Sequence, residues 1–193
     1  MKKHILIIMG SPRTGGNTDT IAEILVNSIC EEVDVEKINL SQFQFRGCRG
    51  CRKCFSDGIC KVHDDMEKIY PLIEKADGFI LISPTYNYNI TAEMKAFIDR
   101  LFCFYDFSNK GGWTSRLGDK RKALIFGLCA GSSKEDMGFT LEAMERPIEA
   151  LGIQVIKTIP YFNTRLKPVW KNEEFIGELD TIGKEFADLV SAL

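Results

Sequence analysis

Apolar and polar positions along the chain alternate between two periods. Continuous apolar runs at His4–Met9 (HILIIM), Gly78–Ile82 (GFILI) and Ala123–Leu128 (ALIFGL) have the pattern of strands buried on both faces. Val33–Ile38 (VDVEKI) alternates apolar with charged residues, as a half-exposed strand near a sheet edge does, and Gln154–Pro160 reads as the last strand. Helical spacing separates these runs. It appears within Thr20–Ile29 (Ile21, Ile24, Leu25, Ser28, Ile29), within Thr91–Phe104 (Met94, Phe97, Ile98, Leu101, Phe102), at Leu141, Met144, Ile148 and Leu151, and at Phe175, Leu179, Ile182, Phe186 and Leu189. Asp64 with Glu67 three residues later reads as a capping box that opens a helix through Lys75, with a kink or an early break expected at Pro71. Pro147 is expected to bend the helix that holds it. Asp106–Lys120, rich in Gly, Ser and charge, reads as a long connection or flap.

Five strands alternating with helices predict an α/β fold with a parallel sheet covered on both faces. The most economical arrangement is a flavodoxin-like, doubly wound sheet of order 2-1-3-4-5. The whole of residues 1–193 reads as one domain with a cysteine-rich insertion at about residues 41–62, a stretch without periodicity and of a length that usually serves a function. In such a sheet a ligand sits beyond the carboxyl ends of the strands, at the switch point between the first and third.

The two loops at that switch point carry the candidate chemistry. GSPRTGGNT, Gly10–Thr18, links a strand to a helix, so its amides and the helix N-terminus would converge on an anion. Arg13 adds a charged fork, and Ser11, Asn17 and Thr18 add short donors. A nucleoside-triphosphate loop is excluded by spelling, because Gly16 and Asn17 stand where Lys and Ser or Thr are required. GxGxxG is also absent, so a tightly held pyrophosphate is not expected. A phosphate monoester remains, unless Ser-Pro and Gly-Gly form only a turn. SPTYNYN follows the third strand, where Tyr86 and Tyr88 offer flat faces, and CAGSSKEDMG follows the fourth.

Composition narrows the class. The 193 residues are 45% hydrophobic and 27% charged with a formal net charge of −2, ordinary for a globular protein and without the basic face that nucleic acid requires. No stretch is long and apolar enough to span a membrane, and the first apolar run is too short for a signal-peptide core. A cytoplasmic protein is expected. In that compartment seven cysteines point to metal or redox chemistry rather than disulfides.

With GSPRTGGNT after the first strand and SPTYNYNITAEMKAFIDR after the third, the chain resembles the NAD(P)H-dependent FMN reductase family of flavodoxin-like proteins. Its cysteine cluster followed by Asp64-Asp65-Met66 is similar to the iron–sulfur flavoprotein branch. The match covers about the first two-thirds of the chain. The resemblance implies FMN, with its phosphate on Ser11, Arg13, Gly16, Asn17 and Thr18 and its isoalloxazine against Pro84, Thr85, Tyr86, Asn87 and Tyr88. It implies also that Ala130, Gly131 and Ser132 border the flavin edge, that NAD(P)H is the co-substrate, and that the protein is a homodimer or homotetramer. Trp113 is a modest further hint of an interface.

Cys48, Cys51 and Cys54 lie at two-residue gaps, with Cys60 following. Such spacing lets thiolates converge on a 4Fe–4S cluster, and Arg46, Arg49, Arg52, Lys53 and Lys61 would offset its negative charge. Zinc, a loop without metal and a disulfide are the alternatives; structural zinc sites usually pair two distant CxxC units. Cys30, Cys103 and Cys129 are spaced as core residues. His4 and His63 read as surface or loop residues, and Glu93, Lys95, Asp99 and Arg100 as solvated helix pairs. No proton-transfer residue is assigned, because hydride transfer is the cofactor's chemistry. The function implied is an FMN-dependent oxidoreductase moving electrons from NAD(P)H or reduced ferredoxin to a quinone, flavin or protein acceptor. A flavodoxin-type carrier, a cluster-free reductase and a flavin-free metal scaffold are the rivals.

Overall fold

A computed structural model describes residues 2–29, 33–108 and 114–193; Cys30 and Trp113 lie outside them. In chain order the elements are β1 (Lys3–Met9), α1 (Asn17–Ser28), β2 (Val33–Asn39), α2 (Met66–Lys75), β3 (Gly78–Pro84), α3 (Ala92–Arg100), β4 (Lys122–Leu128), α4 (Lys134–Met137), α5 (Glu142–Ala150), β5 (Gln154–Tyr161) and α6 (Glu173–Ser191). The strands form one sheet in the order β2-β1-β3-β4-β5, every pair parallel. This is the expected flavodoxin-like winding.

Alternation along β1 shows how the sheet acquires two cores. Ile5 and Ile7 point to a cluster with Ile21 and Leu25 of α1 and Phe186 and Val190 of α6. Leu6 and Ile8 point the other way, to Ile69 of α2, Met94 and Phe97 of α3 and Met144 of α5. Burial on both faces explains why the central strands read as unbroken apolar runs. β2 and β5 are the edges, and their burial patterns are mixed.

Several expectations change. α2 and α5 run through Pro71 and Pro147 to Lys75 and Ala150, so no early break occurs at Pro71; its side chain is exposed, and the missing N–H costs one bond rather than the helix. The Asp64–Glu67 capping box does not form. Asp64 Oδ1 does accept from Met66 N at 3.1 Å, but Glu67 turns to His63. In the closing helix Phe175, Leu179, Ile182 and Phe186 are buried as expected, but at its last turn Val190 faces the core and Leu189 is 40% exposed. His4 is buried, not superficial: β1 starts inside the sheet, and neither ring nitrogen has a hydrogen-bond partner. Burial, then the Lys75 charge, lowers its pKa. His63 is exposed, as expected.

Arg100 is the largest departure. Lys95 and Asp99 do form a solvated pair, but Arg100 is buried and salt-bridged to Asp64 at 2.7 Å. The described ends of the 106–120 segment carry a two-strand ribbon, Tyr105–Asp106 with Thr114–Ser115. It packs on the cysteine loop: Phe107 stacks on Phe55 at 4.0 Å, and Arg116 Nη2 donates to Gly58 O at 2.8 Å.

Candidate functional site

The strand-end loops are joined to one another by hydrogen bonds. Gly10 N donates to Ile82 O at 2.9 Å, and Gly10 O accepts from Thr91 Oγ1 at 2.6 Å, so β3 and the start of α3 fix the first loop. Thr91 also accepts from Met94 N and thereby caps α3. α4 is capped by Ser133 and Asp136 in a capping box. α1 differs: its N-cap is Gly16 and no side chain caps it, which leaves its first-turn amides for another partner. A Cβ on Gly15 or Gly16 would meet nothing within 4 Å, so open space adjoins these amides. Ser11 and Thr18 are buried beside them, and Arg13 is exposed.

Two features here escaped the sequence reading. Gly15 N donates to the Asp19 carboxylate, and Asn17 is turned toward another loop, its Oδ1 accepting from Val169 N at 2.7 Å and its Nδ2 reaching Thr164 O at 3.5 Å. Asp19 was legible only as an acid in a helix's first turn.

The second loop is a hairpin. Tyr86 and Asn89 exchange backbone bonds of 2.7 and 3.1 Å, and Asn87 and Tyr88 between them both have positive φ, 49° and 64°, as a type I′ turn requires. A tyrosine in the left-handed region costs about 1–2 kcal/mol. The loop is held from outside: Phe139 N donates to Tyr88 O at 2.8 Å, and a Cβ on Gly138 would stand 2.3 Å from that same oxygen. Thr140 Oγ1 donates to Met137 O, so the hydroxyl of Thr85 is the donor in its 2.9 Å bond to Thr140. Tyr86 and Tyr88 remain 41% and 60% exposed.

In the third loop, Asp136 accepts from Ser132 N, Ser133 N and Ser133 Oγ at 2.9, 3.1 and 3.1 Å. These bonds, the Ser132 amide foremost, hold its carboxyl below the usual range. Gly131 has no alternative here, since a Cβ would lie 2.3 Å from that of Asp136. Gly131 O and Cys129 O accept from Asn163 N and Thr164 N, which brings in a segment after β5 whose sequence gave no signal beyond a single Asn.

Cys48, Cys51, Cys54 and Cys60 line one cavity of about 470 Å3, together with Arg100 and Cys103. Cys48 and Cys51 are exposed, Cys60 is intermediate and Cys54 is buried. Burial, followed by the sulfurs of Cys60, Cys48 and Cys51, pushes the Cys54 thiol up, and burial pushes that of Cys103 up to about 12. Cys103 and Cys129 are buried as expected. Arg49, Arg52 and Lys61 line the same cavity. Among the described residues no three His, Cys, Asp or Glu side chains converge to hold a metal ion; the thiols surround the cavity rather than meeting at a point. Among them, too, no helix is long and apolar enough to cross a membrane.

Comparison with known proteins bears on both sites. A family model described as NADPH-dependent FMN reductase matches residues 3–161. An iron-sulfur flavoprotein of Archaeoglobus fulgidus is 32% identical over 147 residues, 76% of this chain and 62% of that protein. An iron-sulfur flavoprotein of Methanocaldococcus jannaschii is 35% identical over 121 residues, 61% of this chain and 63% of that protein. The matches thus span about three-fifths of these relatives' length. The NAD(P)H:quinone oxidoreductase of Methanothermobacter marburgensis superposes with a TM-score of 0.76 at 14% identity, covering 95% of this chain and 98% of that one. An FMN-dependent NADH-azoreductase of Bacillus anthracis, solved with FMN, superposes with a TM-score of 0.68 at 16% identity, covering 96% and 100%. At such identities these structures establish the fold alone.

Proposed function

The chain belongs to the NADPH-dependent FMN reductase family, and from that premise we propose that it is an FMN-dependent oxidoreductase taking electrons from NAD(P)H or a reduced ferredoxin and passing them to a quinone, flavin or protein acceptor. The observation that carries this reading is the uncapped start of α1, opening into free space beside Gly15 and Gly16 while α3 and α4 cap themselves. A phosphate monoester supplies the acceptor oxygens that those amides lack. Ser11, Arg13, Gly16, Asn17 and Thr18 would hold it. Pro84, Thr85, Tyr86, Asn87 and Tyr88 would bind the ring system, with Ala130, Gly131 and Ser132 at its edge. Bound FMN supplies the hydride and single-electron chemistry. The protein's part is to hold the ring between loops that cross-brace one another and to leave one face open for donor and acceptor in turn.

The four cysteines suit a 4Fe–4S cluster in number and chemistry, and they line one cavity with Arg49, Arg52 and Lys61 to offset negative charge. Their spread around that cavity favours a second reading, a cluster-free reductase with the same flavin chemistry. Protein purified without oxygen decides between them by its visible spectrum with iron and acid-labile sulfide assays. Flavin bands bleached by NADPH or NADH, with about four irons and four sulfides per chain, are the expected result. Flavin without iron selects the second reading. No flavin after FMN is added overturns both.

A further inference from the structure

Arg100 sits on the last turn of α3 with its side chain fully buried. A guanidinium carries five N–H donors, and here Nε, Nη1 and Nη2 make five bonds. Nε donates to Tyr70 Oη at 3.1 Å. Nη1 donates to Arg46 O at 2.9 Å and Asp64 Oδ2 at 2.7 Å. Nη2 donates to Val62 O at 3.1 Å and Asp64 Oδ1 at 3.1 Å. Arg46 lies two residues before Cys48 and Val62 two residues after Cys60, so one side chain grips both stems of the cysteine loop. Around it Gln44 O accepts from Asp65 N at 3.2 Å, and the Asp64 and Asp65 carboxylates accept from Arg46 N and Gln44 N at 3.2 and 2.7 Å. Arg100 is also among the residues that line the cavity with the four cysteines.

We propose that Arg100 is the positioning residue of the cysteine loop: its forked bonds to Arg46 O, Val62 O and Asp64 close the loop's neck and set the separation of the thiols around the cavity. The fork is what the role requires. A bidentate carboxylate bond and two diverging carbonyl bonds need a planar group with donors in fixed directions, which a lysine ammonium cannot supply. Deep burial adds to this, since each bond not made would leave a buried polar group without water. Insofar as the thiols are metal ligands, the inference rests on the cluster reading; the closure of the neck does not.

The experiment is site-resolved thiol labelling, read by mass spectrometry, on the metal-free full-length protein, comparing wild type with Arg100→Lys and Asp64→Asn. Lysine keeps a cation beside Asp64, and asparagine keeps the shape of the carboxylate, so a variant is available if one of them does not fold. Cys129, buried at the end of β4, is the internal reference. Labelling of Cys54 and Cys60 relative to Cys129 should rise at least tenfold in Arg100→Lys and several-fold in Asp64→Asn, while bound FMN is unchanged. Reconstituted iron should fall by more than half in Arg100→Lys. Relative labelling within twofold of wild type in a folded variant, or a parallel rise at Cys129, overturns the proposal. Wild type that takes up no iron defeats the cluster reading and leaves the labelling ratio to judge the neck.

Discussion

Gly10–Thr18 and Pro84–Tyr88 leave the sheet directly from neighbouring strands β1 and β3, whereas residues 40–65 leave it from edge strand β2 and are fastened chiefly by side chains. The first pair inherits its geometry. Backbone bonds from Gly10 to Ile82 and from Thr85 to Leu128 continue the strand ladder into the loops, and short side chains such as Thr91 and Thr140 complete the bracing. The cysteine loop has Arg100 at its neck and Arg116 at Gly58. A site made from strand ends is as stiff as the sheet, while a site on an excursion is only as well defined as the few groups that hold it.

The largest expected effect tests that dependence directly. Arg100→Met removes the charge and strands Asp64, and breaking a buried pair from one side costs about 3–5 kcal/mol; urea unfolding of wild type and variant measures it. A cost under about 1 kcal/mol would mean that the neck closes by other contacts. On the strand-end side, Gly138→Ala places a methyl 2.3 Å from Tyr88 O at a φ of 61°. That backbone, with ψ at −127°, alone costs a residue with a Cβ about 1–3 kcal/mol, and the clash must push the Tyr86–Asn89 hairpin away. Stability should fall by about 2 kcal/mol or more, with FMN affinity at least tenfold weaker by flavin-fluorescence titration. Unchanged affinity would separate that hairpin from the flavin.

The same contrast decides what could be read from the sequence. The strands, both switch-point loops and most helix faces were legible because each follows from local periodicity or turn chemistry, and the strand order from the most economical winding of alternating strands and helices. Arg100 was read as a solvated i,i+4 partner, and its neighbours Lys95 and Asp99 are such a pair. Nothing local distinguishes it, since its partners lie 30 to 54 residues away. Asp64 was misread for the same reason: Asp-x-x-Glu spells a cap, but a distant guanidinium takes the carboxylate. His4 was misplaced because a polar residue at a strand's start usually marks the surface, and here the strand begins already covered. Gly138 and Thr140 brace a loop fifty residues upstream and carry no motif.

Acid should loosen the two regions at different pH. Burial works against ionisation of Asp64, but its bonds from Arg100, Arg46 N and Met66 N prevail and hold its pKa below the ordinary carboxylate value. A depressed pKa contributes stability that is complete above the unfolded value, about 3.9, and is lost as pH falls through the folded one. The slope in that window is at most one proton, about 1.4 kcal/mol per pH unit. Protection factors, exchange rates taken relative to the intrinsic rate at each pH, should therefore fall across residues 44–65 below about pH 4 before they fall at Gly10 or Thr85, whose bonds to Ile82 and Leu128 involve no titrating group. Simultaneous opening would make the molecule one cooperative unit and remove the distinction.

The smallest effect separates stability from binding within the strand-end region itself. Tyr88 holds φ 64° and exposes 60% of its surface, so the ring contributes little core and the backbone bears the cost. Tyr88→Gly relieves about 1–2 kcal/mol of that cost but adds about 0.5–1 kcal/mol of chain entropy to the unfolded state. The balance is a gain of about 0.5 kcal/mol, visible as a small rise in the urea midpoint. If the exposed ring serves to stack on the flavin, the same substitution should weaken FMN binding several-fold. A stabilised variant with weaker FMN would show that the strained tyrosine is kept for the ligand. A destabilised variant with unchanged FMN affinity would show that its ring serves the hairpin's own packing, and would shift the isoalloxazine contact to Tyr86.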